Sequence, residues 1–482
     1  MGPGAEAAEE LMTGDEGNAA ARRGIVAEVS GKRVVVLGLG KSGAAAVELL
    51  VASGARVTGT DSRPEMAFAI EAPAWRARGA RLVLGDNPAA LADDADLIVT
   101  SPGVHPHHPL LAAARARGVA IWAELELGFR AARAPVVAVT GTNGKTTTTH
   151  LVGALIAESG RPVAVAGNVG NPLSAAAPVI PADGFLAVEA SSYQLEGIDR
   201  FHPRAAIILN LTPDHLEHHG DFESYRRAKA RIYSRMEADD ALVLVADEPE
   251  LGAYRRASRA QLLEVSVARP VPRGAWLDAG RLWARVAGAE SIPLLRADEL
   301  PIPGLHNVTN ALAAAAAALA VGIEADAVSR GLARFRGLPH RLETVATARG
   351  VRFVNDSKST NVASLLVALE ALPGPLVLIA GGLDKGTDLA PLVPLVRDRV
   401  RSLVLIGQAA DRFEAALGGA TAVRRAGTLE EAARAALALA AHGDTILLSP
   451  ACASFDQFRD YEDRGDQFRE ITRRIAAEEV AR

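Results

Sequence analysis

The stretch PVVAVTGTNGKTTTTHLVGALI, Pro135 to Ile156, decides the fold of the central part of this chain. Its β-branched start predicts a strand, Gly141 and Gly144 predict a turn, and the remainder fits a helix. A turn of this kind directs backbone N–H groups at the N-terminus of the following helix, where the helix dipole favours anions. Lys145 then supplies a positive charge for terminal phosphates, and the hydroxyl of Thr146 supplies a ligand for Mg²⁺. The sequence therefore predicts a site for a nucleoside triphosphate.

The loop departs from the common phosphate-binding pattern G-x-x-x-x-G-K-[ST]. That pattern requires a glycine where this chain has Val139, and the glycine stands at Gly141 instead. An ordinary strand-to-helix turn with a surface lysine is the alternative interpretation. The shorter sequence G-T-N-G-K-T indicates a particular ATPase family rather than nucleotide-binding proteins in general.

The composition describes an ordinary globular protein. Of 482 residues, 49% are hydrophobic and 23% are charged, and this length predicts about three domains. Lys and Arg number 52 against 57 Asp and Glu, a net charge of −5, so no basic excess indicates nucleic acid as a partner. The single cysteine, Cys452, excludes an intrachain disulfide and fits a reducing cytoplasm. No apolar stretch reaches membrane-spanning length, so we expect a cytoplasmic protein without a membrane partner.

Strands and helices alternate along most of the chain. Residues 1–30 are rich in Gly, Ala and acidic side chains and lack the apolar centre of a signal peptide, so we expect a poorly ordered extension. The alternation beyond them is typical of open, mostly parallel sheets. Residues 241–300 have only short β-like runs, which this pattern does not place. The predicted domains cover residues 31–133, 134–337 and 338–482.

The first predicted domain opens with a glycine-rich turn. Residues 32–61 predict a strand, a G-x-G-x-x-G turn (Gly38, Gly40, Gly43), a helix and a second strand that ends at Asp61. In dinucleotide-binding folds an acidic residue at this place binds a ribose. Taken alone, the pattern indicates NAD. The turn itself is specific for a diphosphate and not for nicotinamide, so an NAD enzyme remains an alternative at this point.

Two residues of the central domain are candidate metal ligands. Glu189 follows the apolar strand FLAV, and a carboxylate beside a phosphate loop suits Mg²⁺, which prefers oxygen ligands. His215 follows the apolar strand AAIILNL. Together with His218 and His219 it suggests zinc, but no cysteine pair accompanies these histidines. For His218 and His219 we expect a solvated turn instead.

Lys229 lies on the predicted helix FESYRRAKARIY. A solvated basic face shared with Arg226, Arg227 and Arg231 is the simplest interpretation. Neighbouring positive charges also lower the pKa of a lysine, and a neutral amine takes up CO₂ to give a carbamate that ligates metal as a carboxylate does. Composition alone does not favour this second interpretation.

The last predicted domain has four apolar strands that each end in a polar turn. They lie in VRFVNDSKSTN, LVLIAGGLDKGTD, SLVLIGQAAD and TILLSPACASFDQF. In open α/β sheets, ligands gather at the carboxyl ends of the strands. The sequence therefore predicts a second ligand-binding edge in this domain.

Seven motifs occur together and in order: GTNGKTT, EASSYQLE, NLTPDHLEHHG, GLHNVTNALAA, GLPHRLE, NDSKSTN and LLSPACASFDQF. Together they resemble the Mur ligase family, from about Gly31 to the C-terminus, and the last-domain motifs favour its glutamate-adding member. The resemblance implies an α/β fold of three domains. These are a Rossmann-like N-terminal domain, a central P-loop ATPase-like domain with a mostly parallel sheet, and a Rossmann-like C-terminal domain.

The resemblance also implies an activity. It is the ATP-dependent ligation of D-glutamate to UDP-N-acetylmuramoyl-L-alanine through an acyl phosphate, during peptidoglycan synthesis. The glycine-rich turn of the first domain then belongs to UDP, which resolves the NAD ambiguity. The residues that match UDP-substrate positions are Lys41, Ser42, Asp61, Ser62, Arg63, Gly103 and Asn168.

The remaining site residues follow from the same resemblance. It implies two Mg²⁺ ions and catalytic roles for Lys145, Glu189, His215 and carbamylated Lys229, the last three ligating metal with Thr146. The residues that match ATP positions are Gly141, Thr142, Asn143, Gly144, Lys145, Thr146, Thr147, Asn307, Asn310, Arg341 and Asp356. Those that match D-glutamate positions are Lys358, Thr360, Lys385, Ser454 and Tyr461, the last a position that is also phenylalanine in relatives.

Two alternatives to this activity remain at the level of sequence. Another Mur ligase or a folylpolyglutamate synthetase would share the central domain and take a different amino acid. A nucleotide-dependent sensor would need only Lys145 and Thr146, leaving Glu189, His215 and Lys229 dispensable. We expect a monomer, since no exposed apolar seam is evident in the sequence.

Overall fold

The structure, a computed structural model, describes residues 24–286, 290–384 and 386–480. It contains three mostly parallel sheets, one within each predicted domain, which confirms the three-domain α/β prediction. By internal contacts the chain forms two compact units. The first runs to Leu300 and includes Val308–Arg334, and the second comprises Pro301–Asn307 and the chain from Phe335 onward.

The N-terminal sheet has five parallel strands in the order β3-β2-β1-β4-β5. Its strands are β1 (Arg33–Leu37), β2 (Arg56–Asp61), β3 (Arg81–Leu84), β4 (Leu97–Thr100) and β5 (Ala120–Ala123). The helices are α1 (24–29), α2 (Lys41–Ala52), α3 (Glu71–Ala77), α4 (Pro109–Ala116) and α5 (Glu124–Ala131), with 3₁₀ turns at Glu65–Phe68 and Ala89–Ala92. Strand order reverses between β1 and β4, which is where open α/β sheets bind ligands.

Helix α1 corrects the predicted N-terminal extension. Residues 24–29 are helical, and Ile25 and Val29 are completely buried in the apolar core beside Val34 and Leu50. The apolar spacing of these two residues covers one helix face, a signal that composition alone obscured. The predicted extension of residues 1–30 is therefore wrong at its end, and residues 1–23 lie outside the described residues.

The central sheet has nine strands in the order β14-β13-β12-β11-β10-β9-β6-β8-β7. Its strands are β6 (Val136–Thr140), β7 (Val163–Gly167), β8 (Phe185–Glu189), β9 (Ala205–Ile208), β10 (Ala241–Val245), β11 (Gln261–Ser266), β12 (Gly274–Asp278), β13 (Arg281–Arg285) and β14 (Ile292–Arg296). The pairs from β7 to β12 are parallel, and β12, β13 and β14 pair antiparallel. Residues 241–300, which the sequence pattern does not place, thus extend this sheet as β10 to β14.

The central helices flank this sheet. They are α6 (Lys145–Glu158), α7 (Leu173–Ala176), α8 (Ser192–Glu196), α9 (Leu216–His219), α10 (Phe222–Ala230), α11 (Leu305–Ala320) and α12 (Ala325–Arg334). Short 3₁₀ turns lie at Ala177–Val179, Arg231–Tyr233, Pro249–Leu251, Tyr254–Arg256 and Ala297–Glu299. Residues 311–318 of the Ala-rich helix α11 are fully buried. Among the described residues, every helix is too short or too polar to cross a membrane.

The C-terminal sheet has six strands in the order β15-β16-β20-β17-β18-β19, parallel except for the β15–β16 pair. Its strands are β15 (Glu343–Ala348), β16 (Val351–Asn355), β17 (Leu376–Gly381), β18 (Val400–Ile406), β19 (Ala422–Arg425) and β20 (Thr445–Leu448). The helices are α13 (Val362–Ala371), α14 (Val393–Arg399), α15 (Ala410–Leu417), α16 (Leu429–Leu439) and α17 (Tyr461–Val480), with a 3₁₀ turn at Ala390–Leu392. Strands β17 and β20 are buried throughout, as expected for parallel strands covered on both faces.

Two buried glutamates on α5 attach the N-terminal sheet to the central one. Glu124 accepts hydrogen bonds from the backbone N–H and the hydroxyl of Ser174, at 2.7 and 2.5 Å. Glu126 accepts three backbone N–H bonds, from Asp199, Arg200 and Phe201, at 2.9, 2.9 and 3.0 Å. Both glutamates are completely buried, and unpaired buried carboxylates are costly. These bonds therefore fix the orientation of α5 on the central domain.

We predict that Glu126→Gln lowers the free energy of unfolding by about 3 kcal/mol, because the amide NH₂ would face backbone donors and the buried Arg130 would lose one of its three carboxylate partners. Urea denaturation followed by circular dichroism measures this loss. The control is Glu65→Gln, since the Glu65 side chain is 62% exposed in its pair with Arg76. Equal stability of the two variants would contradict the conclusion that Glu126 attaches α5 to the central domain.

Candidate active site

The phosphate loop connects β6 to α6. Gly141 and Gly144 have φ angles of 147° and 80°, which favour glycine, and a Cβ on Gly144 would lie 2.5 Å from Oδ1 of Asn310. The ammonium of Lys145 donates to the carbonyl oxygens of Gly141 and Thr142, at 3.0 and 2.8 Å. The loop therefore curls over its own lysine at the N-terminus of α6, the geometry expected of an anion site.

Asn210 holds the loop from the neighbouring strand end. Its Oδ1 accepts hydrogen bonds from the backbone N–H groups of Thr142 and Asn143, at 3.1 and 2.8 Å. The hydroxyl of Thr142 also lies 2.9 Å from that of Tyr225. Neither Asn210 nor Tyr225 was identified from the sequence. Their only signal was proximity in the chain to NLTPDH and to Lys229.

Lys229 is buried against the same loop. Its side chain lies on α10, whose first turn is capped by Asp221 accepting the N–H of Ser224. The residue is 2% exposed, and Nζ donates to the carbonyl oxygen of Gly141 at 2.7 Å and lies 4.7 Å from the centroid of the Tyr225 ring. The solvated basic face is therefore the wrong interpretation for Lys229.

The pKa of Lys229 lies well below its ordinary value. Burial is the largest cause, and the positive charge of Lys145 adds to it, whereas Asp214 and Glu189 oppose it. The direction agrees with the expectation from sequence, but the cause differs. The sequence attributed the lowered pKa to arginine neighbours on the same helix. In the structure the causes are burial and the charge of Lys145.

Glu189 ends β8 and is 1% exposed. Its Oε1 accepts a hydrogen bond from Nδ2 of Asn168 at 2.9 Å. Its Oε2 is buried and has no hydrogen-bond partner within the described part of the chain. A buried carboxylate oxygen without a donor is costly unless a cation occupies its open side. The donor chemistry at this strand end therefore fits Mg²⁺.

His215 follows β9 in a left-handed conformation with φ of 53°. Its side chain is 44% exposed, and its ring centroid lies 5.1 Å from that of Tyr193. Its nearest carboxylates are those of Asp214 and Glu217, at 3.5 and 3.7 Å. The described contacts of His215 thus lie with its own turn and Tyr193.

His218 and His219 do not form a solvated turn. Their side chains are 7% and 0% exposed and both face the carboxylate of Glu196 on α8. The expectation of a solvated turn is therefore wrong, because α9 packs its second half against α8. The sequence did not indicate this burial, because α8 and α9 are separated in the chain and come into contact only in the folded protein.

A cavity of about 520 Å³ opens at the carboxyl ends of β1 and β4. Six of the seven predicted UDP-substrate residues line it: Lys41, Ser42, Asp61, Ser62, Gly103 and Asn168. A Cβ on Gly43 would lie 1.8 Å from the carbonyl oxygen of Gly38, so the glycine-rich turn requires that glycine. Histidines 105 and 108 also line the cavity and were not predicted.

Arg63, the seventh, contacts the cavity through Asp61. The guanidinium of Arg63 lies 2.9 Å from Oδ2 of Asp61, which also accepts the N–H of Leu39 at 2.7 Å. Burial opposes ionisation of Asp61, but the Arg63 and backbone hydrogen bonds prevail and lower its pKa. Oδ1 accepts the backbone N–H of Arg63 at 2.9 Å, so both carboxylate oxygens are engaged within the protein.

The second unit holds a separate group of predicted residues. Asp356 follows β16, where it accepts hydrogen bonds from the hydroxyl of Ser449 at 2.8 Å and from the N–H of Leu342 at 3.3 Å. Burial raises its pKa to about 7. Asn307 also belongs to this unit and donates to the carbonyl oxygen of Pro303 at 2.6 Å.

Two of the predicted amino-acid residues meet at the start of α17. The ammonium of Lys358 lies 3.7 Å from the centroid of the Tyr461 ring, a cation–π contact, and the Tyr461 hydroxyl donates to Glu462 at 2.9 Å. Ser454 is 2% exposed, and Thr360 is half-buried. Arg341 precedes Leu342 and contributes its positive charge to Asp356. Lys385 lies outside the described residues.

Arg464 is a further buried cation that the sequence did not single out. It is completely buried and donates to the hydroxyl and the carbonyl of Ser357, at 2.9 and 2.8 Å. Burial lowers its pKa to about 10. Its hydrogen bonds hold the turn that carries Asp356 and Lys358.

Three family models match this chain. They are the Mur ligase MurD-like N-terminal domain at residues 32–123, the Mur ligase middle domain at residues 139–318, and the Mur ligase glutamate ligase domain at residues 340–452. Together they cover most of the sequence, in the order of the three sheets.

Curated relatives match over nearly their full length. The UDP-N-acetylmuramoylalanine–D-glutamate ligase of Acidobacterium capsulatum is 43% identical over 447 residues, covering 92% of this chain and 96% of that protein. The protein of the same name from Myxococcus xanthus is 45% identical over 452 residues, covering 92% and 98%.

Solved structures share the fold at lower identity. The UDP-N-acetylmuramate–alanine ligase MurC of Thermotoga maritima is 20% identical, with a TM-score of 0.58 and coverage of 92% of this chain and 100% of that chain. The MurF ligase of the same organism, in complex with ADP, is 18% identical, with a TM-score of 0.57 and coverage of 94% and 97%.

We predict a pH-dependent effect of Asp356→Asn. The pKa of this carboxyl is 3.8 in the unfolded chain and about 7 in the folded protein. Between these pH values the folded protein binds one proton more than the unfolded chain. The free energy of unfolding therefore falls as pH rises through this range. The variant lacks this loss. Its stability relative to the parent should therefore increase by about 3 kcal/mol from about pH 5 to pH 8 in urea denaturation.

The control for this measurement is Asp398→Asn, whose side chain is 76% exposed. Its stability relative to the parent should not change over the same pH range. A pH-independent difference for Asp356→Asn would show that burial does not hold its pKa high.

Proposed function

The chain belongs to the Mur ligase family, and we propose that it joins D-glutamate to the alanine carboxylate of UDP-N-acetylmuramoyl-L-alanine, with ATP converted to ADP and phosphate. The relatives that carry this activity in their name are 43% and 45% identical over 92% of this chain. The observation in the site that carries the proposal is the convergence of Lys145 and buried Lys229 on the carbonyl oxygen of Gly141. A nucleotide sensor has no need of the second lysine.

The reaction needs the carboxylate to be activated, because an amine does not displace a carboxylate oxygen directly. In the first step a carboxylate oxygen attacks the γ-phosphorus of ATP, the bond to the β-phosphate oxygen breaks, and ADP leaves. In the second step the neutral amine of D-glutamate attacks the acyl carbon. Collapse of the tetrahedral intermediate releases phosphate, and the nitrogen loses a proton to give the amide.

The chain's residues contribute position and charge to the first step. The loop N–H groups and the helix dipole of α6 favour the phosphates, and the ammonium of Lys145 offsets the charge that develops on the transferred group. We assign the remaining predicted ATP contacts to the loop from Gly141 to Thr147, to Asn307 and Asn310, and to Arg341 and Asp356.

We propose that Thr146, Glu189, His215 and Lys229 hold two Mg²⁺ ions. The buried, unbonded Oε2 of Glu189 supports a cation at this strand end. When bound, the ions neutralise phosphate oxygens and orient them for in-line transfer. Asn168 donates to the other oxygen, Oε1, and so does not occupy Oε2 of Glu189.

Lys229 takes part as a carbamate in this proposal. Its lowered pKa keeps a fraction of the amine neutral, and the lone pair of that amine adds to the carbon of CO₂ with loss of one proton. The product carries a negative charge where the free lysine carries a positive one. That reversal suits a metal ligand beside the phosphate loop.

The substrate cavity and the last domain supply the two organic substrates. We assign UDP to the cavity lined by Lys41, Ser42, Asp61, Ser62 and Gly103, with Arg63 acting through Asp61. Asn168 lines that cavity and also bonds Glu189, so it would join the muramoyl end of the substrate to the reacting centre. We assign D-glutamate to Lys358, Thr360, Lys385, Ser454 and Tyr461, where two lysines suit an amino acid with two carboxylates.

We also propose that the enzyme is a cytoplasmic monomer. ATP is a cytoplasmic substrate, the one cysteine is a buried free thiol, and a single chain supplies every predicted site residue. Sedimentation equilibrium and cell fractionation would test these two properties.

Incubation with ATP, Mg²⁺ and UDP-N-acetylmuramoyl-L-alanine should release phosphate in the presence of D-glutamate and yield the dipeptide product by mass spectrometry. L-Alanine or diaminopimelate should support less than about 1% of that rate. With ¹⁸O in the alanine carboxylate, one labelled oxygen should appear in the released phosphate. Activation by another amino acid would indicate a different Mur ligase, and unlabelled phosphate would contradict the acyl phosphate.

Lys229→Ala should lower kcat by at least about 10³-fold, because the variant lacks a metal ligand. Short carboxylic acids should restore about 10-fold or more by occupying the place of the carbamate. The matched control is Lys32→Ala, since Lys32 is exposed and distant in the sequence from the loop. Unchanged activity of Lys229→Ala in a variant that remains folded by circular dichroism would refute the carbamate.

A further inference from the structure

A second group of potential metal ligands lies on α8 and α9, outside the proposed magnesium residues. One ligand atom from each of Glu196, His218 and His219 lies within 4.8 Å of the other two. Nε2 of His218 is 3.0 Å from Oε2 of Glu196, and Nδ1 of His219 is 3.0 Å from Oε1 of the same carboxylate. Ligands of a tetrahedral zinc ion, at bonds of about 2.0–2.1 Å, lie about 3.3 Å apart. The three side chains are thus close to the spacing that one such ion requires.

His219 presents an unsatisfied nitrogen to this group. Its side chain is 0% exposed, and Nδ1 makes no hydrogen bond within the described part of the chain, although Glu196 is so near. The other ring nitrogen, Nε2, lies 2.9 Å from the hydroxyl of Ser192. A neutral imidazole that donates Nε2–H to Ser192 directs the lone pair of Nδ1 at a carboxylate oxygen.

In that tautomer the Nδ1 lone pair of His219 faces a lone pair of the Glu196 carboxylate, and a cation between them removes the repulsion. A metal-bound histidine normally donates its other ring N–H to a neighbouring acceptor, which fixes its tautomer. Ser192 is in the position of that acceptor.

We propose that Glu196, His218 and His219 form a site for a transition-metal dication of the zinc type, with the fourth position left to water. Two imidazoles and one carboxylate are a known donor set for zinc with an open position, and imidazole disfavours Mg²⁺. The site is distinct from the proposed magnesium residues. The ring of Tyr193 contacts both His215 and His218, at centroid distances of 5.1 and 4.0 Å, and so stands between the two groups.

Such an ion would cross-link two segments that carry site residues. Helix α8 follows Glu189 at the end of β8, and α9 follows His215 after β9. Side-chain contacts of His218 and His219 with Glu196 and Ser192 join these segments. A shared ion would fix their spacing and stabilise the folded protein in proportion to its concentration above the dissociation constant.

Titration of the untagged, chelator-treated full chain with Co²⁺ tests the site, because cobalt in a tetrahedral nitrogen–oxygen site absorbs visible light strongly. We expect one equivalent to bind, Zn²⁺ to displace it, and the Tm to rise on binding. His218→Gln should raise the dissociation constant at least about 100-fold, more than loss of a second-shell contact typically does. His202→Gln is the matched control, since His202 also pairs with a carboxylate, Asp240, at 2.5 Å but has no second histidine.

His215→Gln separates this site from the proposed magnesium residues. Retained cobalt absorption in that variant supports the proposal, and absorption lost there but kept in His218→Gln would overturn it by locating the ion at the other group. Absence of saturable binding, or equal binding by His218→Gln and the parent, would also overturn it. None of these readouts depends on ligase activity, so failure of the metal site and failure of the proposed reaction are distinguishable.

Discussion

Two lysine side chains share one carbonyl oxygen at the phosphate loop, and the rest of the candidate site depends on that arrangement. Nζ of Lys145 and Nζ of Lys229 lie 3.0 and 2.7 Å from the oxygen of Gly141. Two ammonium groups so close repel each other, and burial of Lys229 strengthens the effect because the protein interior screens charge poorly. The protein therefore places Lys145 at the phosphate site beside an amine, that of Lys229, whose charge is easily lost. A reversal of charge at the second lysine would let a single loop serve both nucleotide and metal.

Within the first unit, side-chain contacts connect the metal-ligand candidate Glu189 with the substrate cavity, in addition to the backbone hydrogen bond from Asn168 to Glu189. Asn168 lines the cavity and donates to Glu189, while the buried glutamates of α5 fix the N-terminal sheet on the central domain. The glutamate side chain in each of these contacts is buried and hydrogen-bonded, so displacement of its partner leaves that carboxylate unsatisfied. Such contacts favour one relative position of cavity and loop. An acyl transfer that depends on atoms being held within bonding reach benefits from that rigidity.

Sequence reasoning identified the elements that depend on local patterns. The strands before each glycine-rich turn are apolar on both faces, and the glycines at 43 and 144 stand where a Cβ would collide, so periodicity and turn chemistry were sufficient there. It did not place β10 to β14, because short strands with alternating burial, such as β13, resemble irregular surface segments. It also missed α1, since a short helix within an Ala- and Gly-rich region has little compositional contrast. In both places tertiary pairing, and not local preference, determines the structure.

The site residues fall into the same two classes, those placed by local sequence patterns and those placed by tertiary packing. Lys145, Glu189 and the UDP-cavity residues follow strands directly, and their positions at the sheet edge were predictable from that. Burial, by contrast, is a property of the whole fold. Lys229 shares a helix with two arginines, yet Lys229 is the side chain that turns inward onto Gly141. His218 and His219 are equally polar in sequence, yet both lie against Glu196. A polar residue's chemistry depends on which neighbours exclude water from it, so the reactive groups of this protein are those whose environments the sequence specifies least directly.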